Sequence, residues 1–146
     1  MTKLDIYLNF MGNTEEAFNF YRTVFSGKFS NLTRFKDIKD LPNKYKMSKK
    51  DMNKIMHVYL PIGDASTLMG TDMLEYLGHK LELGNNFSIS VDVKSKFEAD
   101  KLFNKLSKGG KVDMPPKLEF WGAYFGMTKD KFGIRWMVSY VPPKEK

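Results

Sequence analysis

Two stretches of the chain alternate apolar and polar residues in the same way, and a helical pattern follows each of them. Alternation with a period of two predicts a β-strand with one apolar face. The stretches are residues 4–10 and 87–93. Their apolar positions are Leu4, Ile6, Leu8 and Phe10 in the first, and Phe87, Ile89, Val91 and Val93 in the second.

Each predicted strand is followed by a signal for the start of a helix. Asn13 has Glu16 three residues on, and Ser95 has Glu98 at the same distance. Such a pair can form a capping box that satisfies free backbone N–H groups. Apolar residues then recur at helical spacing, which predicts one buried face for each helix. These residues are Ala17, Phe20, Tyr21 and Val24 in the first helix, and Ala99, Leu102, Phe103 and Leu106 in the second.

Both helices are expected to end at a glycine that adopts the left-handed conformation, Gly27 and Gly109. The two caps, Asn13 and Ser95, and the two glycines are each 82 residues apart. A constant offset of this kind indicates an internal repeat.

Three further strand-like segments follow each helix, so that each repeat is predicted to be a βαβββ module. The segments cover residues 29–35, 54–63, 66–72, 111–114, 121–128 and 134–140, with hairpin turns at 63–65 and 129–133. We predict an α+β fold of two βαβββ modules that form curled mixed sheets around a cup. Residues 1–146 would form one domain, with a first module at 3–72, a connector at 73–85 and a second module at 86–142.

Composition narrows the possible partners. The chain has a net charge of +7 and no cysteine, which excludes disulfides and thiolate metal sites. Its 24 basic residues are spread along the chain, and the densest patch, residues 44–54, is lysine-rich. This distribution favours a solvated surface over a nucleic-acid surface. We find no transmembrane run and no signal peptide, and expect a soluble cytoplasmic protein with no membrane partner.

The order of segments resembles the vicinal oxygen chelate superfamily, which includes glyoxalases, bleomycin-resistance proteins and extradiol dioxygenases. More narrowly, the chain is similar to the PhnB-like branch, sometimes labelled as a 3-demethylubiquinone methyltransferase domain. The segments that carry this resemblance are residues 12–25, 55–72, 85–92, 98–115 and 120–138. No Gly-x-Gly-x-x-Gly loop follows a strand, so the residues themselves give the methyltransferase label no support.

The resemblance implies a divalent metal in each cup, held by His, Glu or Gln on the first and last strands of a module. In this chain the first strands offer Asp5, Tyr7 and Asn9, and then Asn86, Ser88 and Ser90. The last strands offer residues 67–70 and 135–138, where Trp136 or Met137 stands in the place of a glutamate. No His/Glu quartet can be assembled, and we therefore predict neither a metal nor a cofactor.

His57 is the most suggestive single residue. Met56, Val58 and Leu60 form one face of its predicted strand, so His57 and Tyr59 would point into the cup. His57 then either hydrogen-bonds a ligand, or acts as a base or lone metal ligand, or is a structural histidine bonded to a polar neighbour. His79 is expected to lie on the surface.

The aromatic run at residues 119–140 is expected to supply both core and cup. By alternation the cup receives either Trp121, Ala123 and Phe125 or their neighbours Gly122, Tyr124 and Gly126. No catalytic residue is identified. The candidate cup-lining residues are His57, Tyr59, Tyr7, Ser88, Trp121, Tyr124, Phe125 and Trp136.

Two classes of function remain open. The first is a homodimeric protein that binds or sequesters a small, partly aromatic or apolar molecule without a metal. The alternative is a metal-dependent or cofactorless lyase or isomerase that acts on vicinal oxygens and is anchored by His57.

Overall fold

The computed structural model describes residues 1–144. The chain folds into two compact units, with the boundary between Glu82 and Leu83. Each unit contains one four-stranded mixed sheet and one long helix. The predicted α+β class with two βαβββ modules is confirmed.

The first unit orders its strands β1-β4-β3-β2, with β1 parallel to β4 and the other pairs antiparallel. Its helices and strands are β1 (Ile6–Phe10), α1 (Thr14–Val24), β2 (Asn31–Arg34), α2 (Lys49–Met52), β3 (Ile55–Ile62) and β4 (Ser66–Asp72). Single 3₁₀ turns occur at Phe35–Asp37, Lys44–Lys46 and Glu75–Leu77.

The second unit repeats this topology with the order β5-β8-β7-β6, and β5 is parallel to β8. Its elements are β5 (Ile89–Asp92), α3 (Lys96–Ser107), β6 (Lys111–Leu118), β7 (Tyr124–Lys129) and β8 (Arg135–Tyr140). Among residues 1–144, none of the helices has the length and apolar character that crossing a bilayer requires.

The core of the first unit lies between α1 and one face of its sheet. The prediction that Phe20 belongs to the buried stripe is wrong, because Phe18 is fully buried and Phe20 only half-buried. Gly70 explains the difference: a Cβ at that position would lie 2.5 Å from the Phe18 ring. The missing side chain on β4 makes room for the ring, which the helical pattern alone does not reveal.

The start of α1 is held by a distant carboxylate and not by the predicted capping box. The side chain of Asn13 makes no capping hydrogen bond. Asp72 at the end of β4 instead accepts hydrogen bonds from the backbone N–H groups of Gly12 and Thr14 and from the Thr14 hydroxyl, at 3.0, 3.1 and 2.7 Å. Its second oxygen accepts from Ile55 N–H at 2.8 Å.

The C-termini of the two helices also differ. After α1 the left-handed conformation belongs to Ser26, with φ of 52°, and not to Gly27 as predicted. Gly27 lies close to the core, where an added Cβ would come 3.0 Å from the Leu60 side chain. After α3 the prediction is confirmed, since Gly109 has φ of 76°.

In the second unit α3 packs on its sheet as predicted, with Ala99, Phe103 and Leu106 buried. Ser95 accepts a hydrogen bond from Glu98 N–H at 3.0 Å, which confirms this cap. The Glu98 carboxylate accepts from the N–H of Lys94, one residue before the expected partner.

Candidate functional site

The face of the first sheet opposite α1 carries its aromatic and polar residues. Tyr7, on β1, pairs with Met69 on β4, and Met69 pairs in turn with Tyr59 on β3. Paired residues of neighbouring strands point to the same side of a sheet. These three side chains therefore form one row across the face that α1 leaves uncovered.

His57 joins this row from β3. Its Nδ1 lies 3.1 Å from the Tyr7 hydroxyl, and its ring centroid lies 3.8 Å from that of Tyr59. Its Nε2 is buried and has no hydrogen-bond partner within residues 1–144. His57 thus contacts two other predicted site residues, Tyr7 and Tyr59, and we call these three the His57 cluster.

The environment of the His57 cluster keeps His57 and Tyr7 neutral. Burial lowers the pKa of His57 below its usual 6.5, so the imidazole is uncharged at pH 7. Burial also raises the pKa of the Tyr7 hydroxyl. A neutral imidazole offers one donor and one acceptor nitrogen. When the Tyr7 hydroxyl donates to Nδ1, the proton of the ring is on Nε2, which can then donate to a ligand.

A surface hollow of about 400 Å³ lies beside the cluster and shares Tyr7 with it. It is mainly apolar, with the polar groups of Asn9, Thr71 and His79 at its wall. Met56 also lines it, contrary to the prediction that Met56 belongs to the α1 side. The reason is a register shift between β2 and β3: Thr33 pairs with His57 but Arg34 pairs with Ile55. Ile55 takes the buried place and Met56 faces the hollow.

His79 has a structural role that the sequence did not reveal. Although it is exposed, its Nδ1 accepts a hydrogen bond from Leu74 N–H at 3.0 Å, across the 3₁₀ turn Glu75–Leu77. In the sequence, this contact is indicated only by the short separation between His79 and Leu74.

In the second unit the face opposite α3 is built mainly from methionine, serine and phenylalanine. Ser90, Met137, Met127 and Met114 pair in sequence across the four strands. Phe125 lies on the same face, and its ring contacts that of Trp121 at 5.6 Å between centroids. Trp121 itself precedes β7 and is 53% exposed.

The alternation left open by the sequence is therefore resolved within this unit: Phe125 faces away from α3, and Tyr124 faces toward it. The Tyr124 hydroxyl donates to Asp100 on α3 at 2.5 Å, and this bond raises the pKa of Tyr124 to about 12. The prediction that Tyr124 lines the open face is wrong for this reason. Ser88 is half-buried immediately before β5.

The prediction that Trp136 lines the cup is also wrong, because Trp136 is a core residue that is 1% exposed. Its indole N–H donates to Asp130 at 2.8 Å. The other oxygen of Asp130 accepts from Phe132 and Ile134 N–H at 2.8 and 3.0 Å, so this aspartate organises the β7–β8 turn.

The donor set does not fit the divalent metal that the superfamily resemblance implies. Within residues 1–144, no three His, Asp or Glu side chains converge as they would at a metal site. On the uncovered faces the paired positions of the first and last strands hold Tyr7, Asn9, Met69 and Thr71 in one unit, and Ser90, Asp92, Met137 and Ser139 in the other. Among these eight positions Asp92 alone offers a carboxylate, and thioethers and neutral hydroxyls bind hard divalent cations less well than carboxylates do.

The chain matches known proteins over nearly its whole length. The family described as 3-demethylubiquinone-9 3-methyltransferase matches residues 2–139. Protein PA1353 from Pseudomonas aeruginosa is 37% identical, with 97% of this chain and 98% of that chain covered and a TM-score of 0.82. The PhnB protein from Bacillus cereus is 25% identical, with 96% and 100% covered and a TM-score of 0.74.

A more distant likeness concerns the fold alone. The fosfomycin resistance protein FosX from Listeria monocytogenes is 10% identical, with 97% of this chain and 94% of that chain covered and a TM-score of 0.64.

Proposed function

The chain belongs to the 3-demethylubiquinone-9 3-methyltransferase family, the PhnB-like branch of the vicinal oxygen chelate superfamily, and from this premise we propose that it binds a small, partly aromatic or apolar molecule without a superfamily-type metal. The His57 cluster and the hollow beside it are the proposed binding surface in the first unit. Trp121 and Phe125 are the corresponding aromatic surface in the second.

One observation carries this proposal: His57 Nε2 is buried without a hydrogen-bond partner in the described part of the chain. Leaving a buried polar atom unpaired costs about 1–3 kcal/mol. A ligand hydroxyl or carbonyl that bonds Nε2 would remove this cost, so the free protein is already arranged for such a group.

The surroundings of His57 suggest the rest of the ligand. The Tyr59 ring against His57 and the mainly apolar hollow that shares Tyr7 with the cluster favour a flat or apolar body. Charged groups are not expected at this position, because burial keeps the imidazole neutral by lowering its pKa. The proposed ligand is therefore an uncharged molecule with one oxygen that anchors it to His57.

We also propose that the protein is a homodimer, as superfamily modules often form their cups across a subunit interface. Native mass spectrometry of the untreated protein tests both ideas, since one spectrum gives the number of subunits and the mass of any retained molecule. A monomer would contradict the homodimer. The binding proposal is decided by dye titration of the variants described next.

Titration with the neutral dye Nile red measures the affinity of the proposed apolar site for an uncharged aromatic molecule. His57→Gln should weaken dye binding, and Tyr7→Phe should weaken it less, because only the hydroxyl that orients His57 is lost. Tyr45→Phe is the matched control, because Tyr45 is 83% exposed in the segment before α2. Binding that is equal in all three variants would contradict the proposal. A stoichiometric divalent metal that is lost with His57→Gln would instead favour the metal-dependent lyase or isomerase.

A further inference from the structure

Three basic residues form one cross-strand row at an end of the second sheet. Lys111 on β6 pairs with Lys129 on β7, and Lys129 pairs with Arg135 on β8. Directly paired like charges repel one another and are unfavourable in a sheet. A row of three therefore needs compensation by negative charge.

Residues 1–144 supply only part of that compensation. Asp113 lies 3.2 Å from Nη1 of Arg135, and this ion pair is partly exposed. Three cationic side chains against one carboxylate leave an excess of two positive charges. A doubly charged anion would balance the row.

Arg135 presents a donor that no described residue uses. Its Nε is buried and has no hydrogen-bond partner within the described residues, and its hydrogen bond to Asp113 uses Nη1. The Nε and Nη2 atoms form the opposite edge of the guanidinium, and such an edge binds two oxygens of a carboxylate or phosphate group in parallel. Because Nε is covered in the free chain, the guanidinium must turn toward the ligand.

A hollow of about 260 Å³ gives the ligand a place next to this edge. Lys129 and Arg135 line it from the strands, and Leu83, Gly84, Asn85 and Gly133 close it. The two glycines put no side chain into the space. It is a smaller hollow than the one beside Tyr7, and its size suits a single anionic group.

We propose that this hollow binds a doubly charged tetrahedral oxyanion, either inorganic phosphate or the phosphate of a small phosphomonoester. A phosphomonoester carries a charge of about −1.5 to −2 at pH 7 and three acceptor oxygens. It therefore matches both the excess charge and the donors better than a singly charged carboxylate. None of these residues belongs to the His57 cluster, so the two proposals can fail independently.

The test is a titration of the isotope-labelled full-length protein with inorganic phosphate, and separately with phenyl phosphate, followed by NMR. We expect saturable shifts at residues 83–85 and 129–135. Tighter binding of phenyl phosphate would identify an ester as the ligand, and equal binding would identify phosphate itself. Acetate and chloride at equal ionic strength serve as competing anions.

Two variants separate the bidentate contact from general charge. Arg135→Lys keeps the charge but removes the planar edge, and it should weaken phosphate binding about tenfold or more. Lys129→Gln leaves the Asp113 contact intact and should weaken binding by several fold. Lys108→Gln removes an exposed charge beyond α3 and should have no effect. Thermal unfolding verifies that each variant is folded.

The proposal is overturned if phosphate does not saturate at millimolar concentration, or if Arg135→Lys and Lys129→Gln bind as well as the original protein. Acetate binding more tightly than phosphate would also overturn it, because the site would then be specific for carboxylates.

Discussion

The two units build the same βαβββ topology but fasten their helices to the sheet by different contacts. In the first, Asp72 at the end of β4 holds the start of α1, across a separation of 58 residues. In the second, Ser95 caps α3 from the adjacent position in the chain. A shared topology therefore does not require shared contacts. The capping signal in the sequence is reliable for α3, whose acceptor is the residue just before the helix, and fails for α1, whose acceptor lies on a distant strand.

The uncovered faces of the two sheets differ in chemistry as well. The first presents a neutral histidine between two tyrosines, while the second presents methionines and a row of basic residues. We propose that the first surface suits uncharged groups and the second suits anions, although the strand order is the same in both units.

The largest effect is expected for Asp72→Ala. This carboxylate is 4% exposed and accepts four hydrogen bonds that join the loop after β1, the first residue of α1 and the first residue of β3. Its loss leaves those donors unpaired and should lower the free energy of unfolding by about 3 kcal/mol or more. Chemical denaturation measures the change.

Asp130→Ala is the matched variant in the second unit. Asp130 accepts hydrogen bonds from Phe132 N–H, Ile134 N–H and the Trp136 indole, which all belong to the β7–β8 hairpin. We expect a smaller loss than for Asp72→Ala, because fewer elements are joined. An equal or larger loss would contradict the view that Asp72 has the greater role.

Replacement of the two buried glycines should have the next largest effect. A Cβ at Gly70 would lie 2.5 Å from the Phe18 ring, and one at Gly126 would lie 2.8 Å from the Phe103 ring. Each alanine overpacks the contact between helix and sheet and should cost about 1–3 kcal/mol, more at Gly70. Thermal unfolding of both variants tests this order.

Gly84→Ala is the control for these variants, since the nearest atom to its added Cβ would be the Asn86 side chain at 3.5 Å. A change beyond about 0.5 kcal/mol at Gly84 would show that losing a glycine matters apart from packing.

The sequence predicted the strands well because their signals are local. Period-two alternation and two hairpin turns were enough to find β3, β4 and β8 nearly to the residue, whereas β7 begins at Tyr124 and not at the predicted residue 121. The resemblance to the superfamily was likewise carried by contiguous segments. Within the site, the shared face of His57 and Tyr59 followed from the same alternation.

The failed predictions depend on contacts between elements, which the pattern within one element does not show. Phe18 replaced Phe20 in the core because Gly70 leaves room on another strand. Met56 faces the hollow and not α1, because β2 pairs with β3 through a register shift. Trp136 lies in the core, where its indole N–H donates to Asp130 in the turn that precedes β8. Helical or strand periodicity contains none of this information.

The difference between the helix starts can be measured at the caps themselves. Ser95→Ala should cost about 1 kcal/mol, because the hydroxyl accepts from Glu98 N–H. Asn13→Ala should cost much less, because its side chain makes no capping bond. Denaturant midpoints at equal slope give both values, and equal costs would indicate that Asn13 does cap α1 in solution.

The smallest effect is expected for the pH dependence that His57 adds to the first unit. Burial lowers the pKa of His57 in the folded state below its usual 6.5, so below that pH the unfolded chain binds the proton more readily. The stability of the original protein relative to His57→Gln should therefore be constant above about pH 6.5 and fall as the pH decreases below it.

Unfolding of both proteins between about pH 8 and pH 5 isolates this contribution, because all other titrating groups are common to the two. The Tyr7 hydroxyl in contact with His57 carries no charge to attract a proton to the ring, because burial raises its pKa. A relative stability that rises as the pH falls would mean that a carboxylate reaches the imidazole in solution. The cluster would then be suited to an anionic group, and the chemical contrast between the two uncovered faces would be lost.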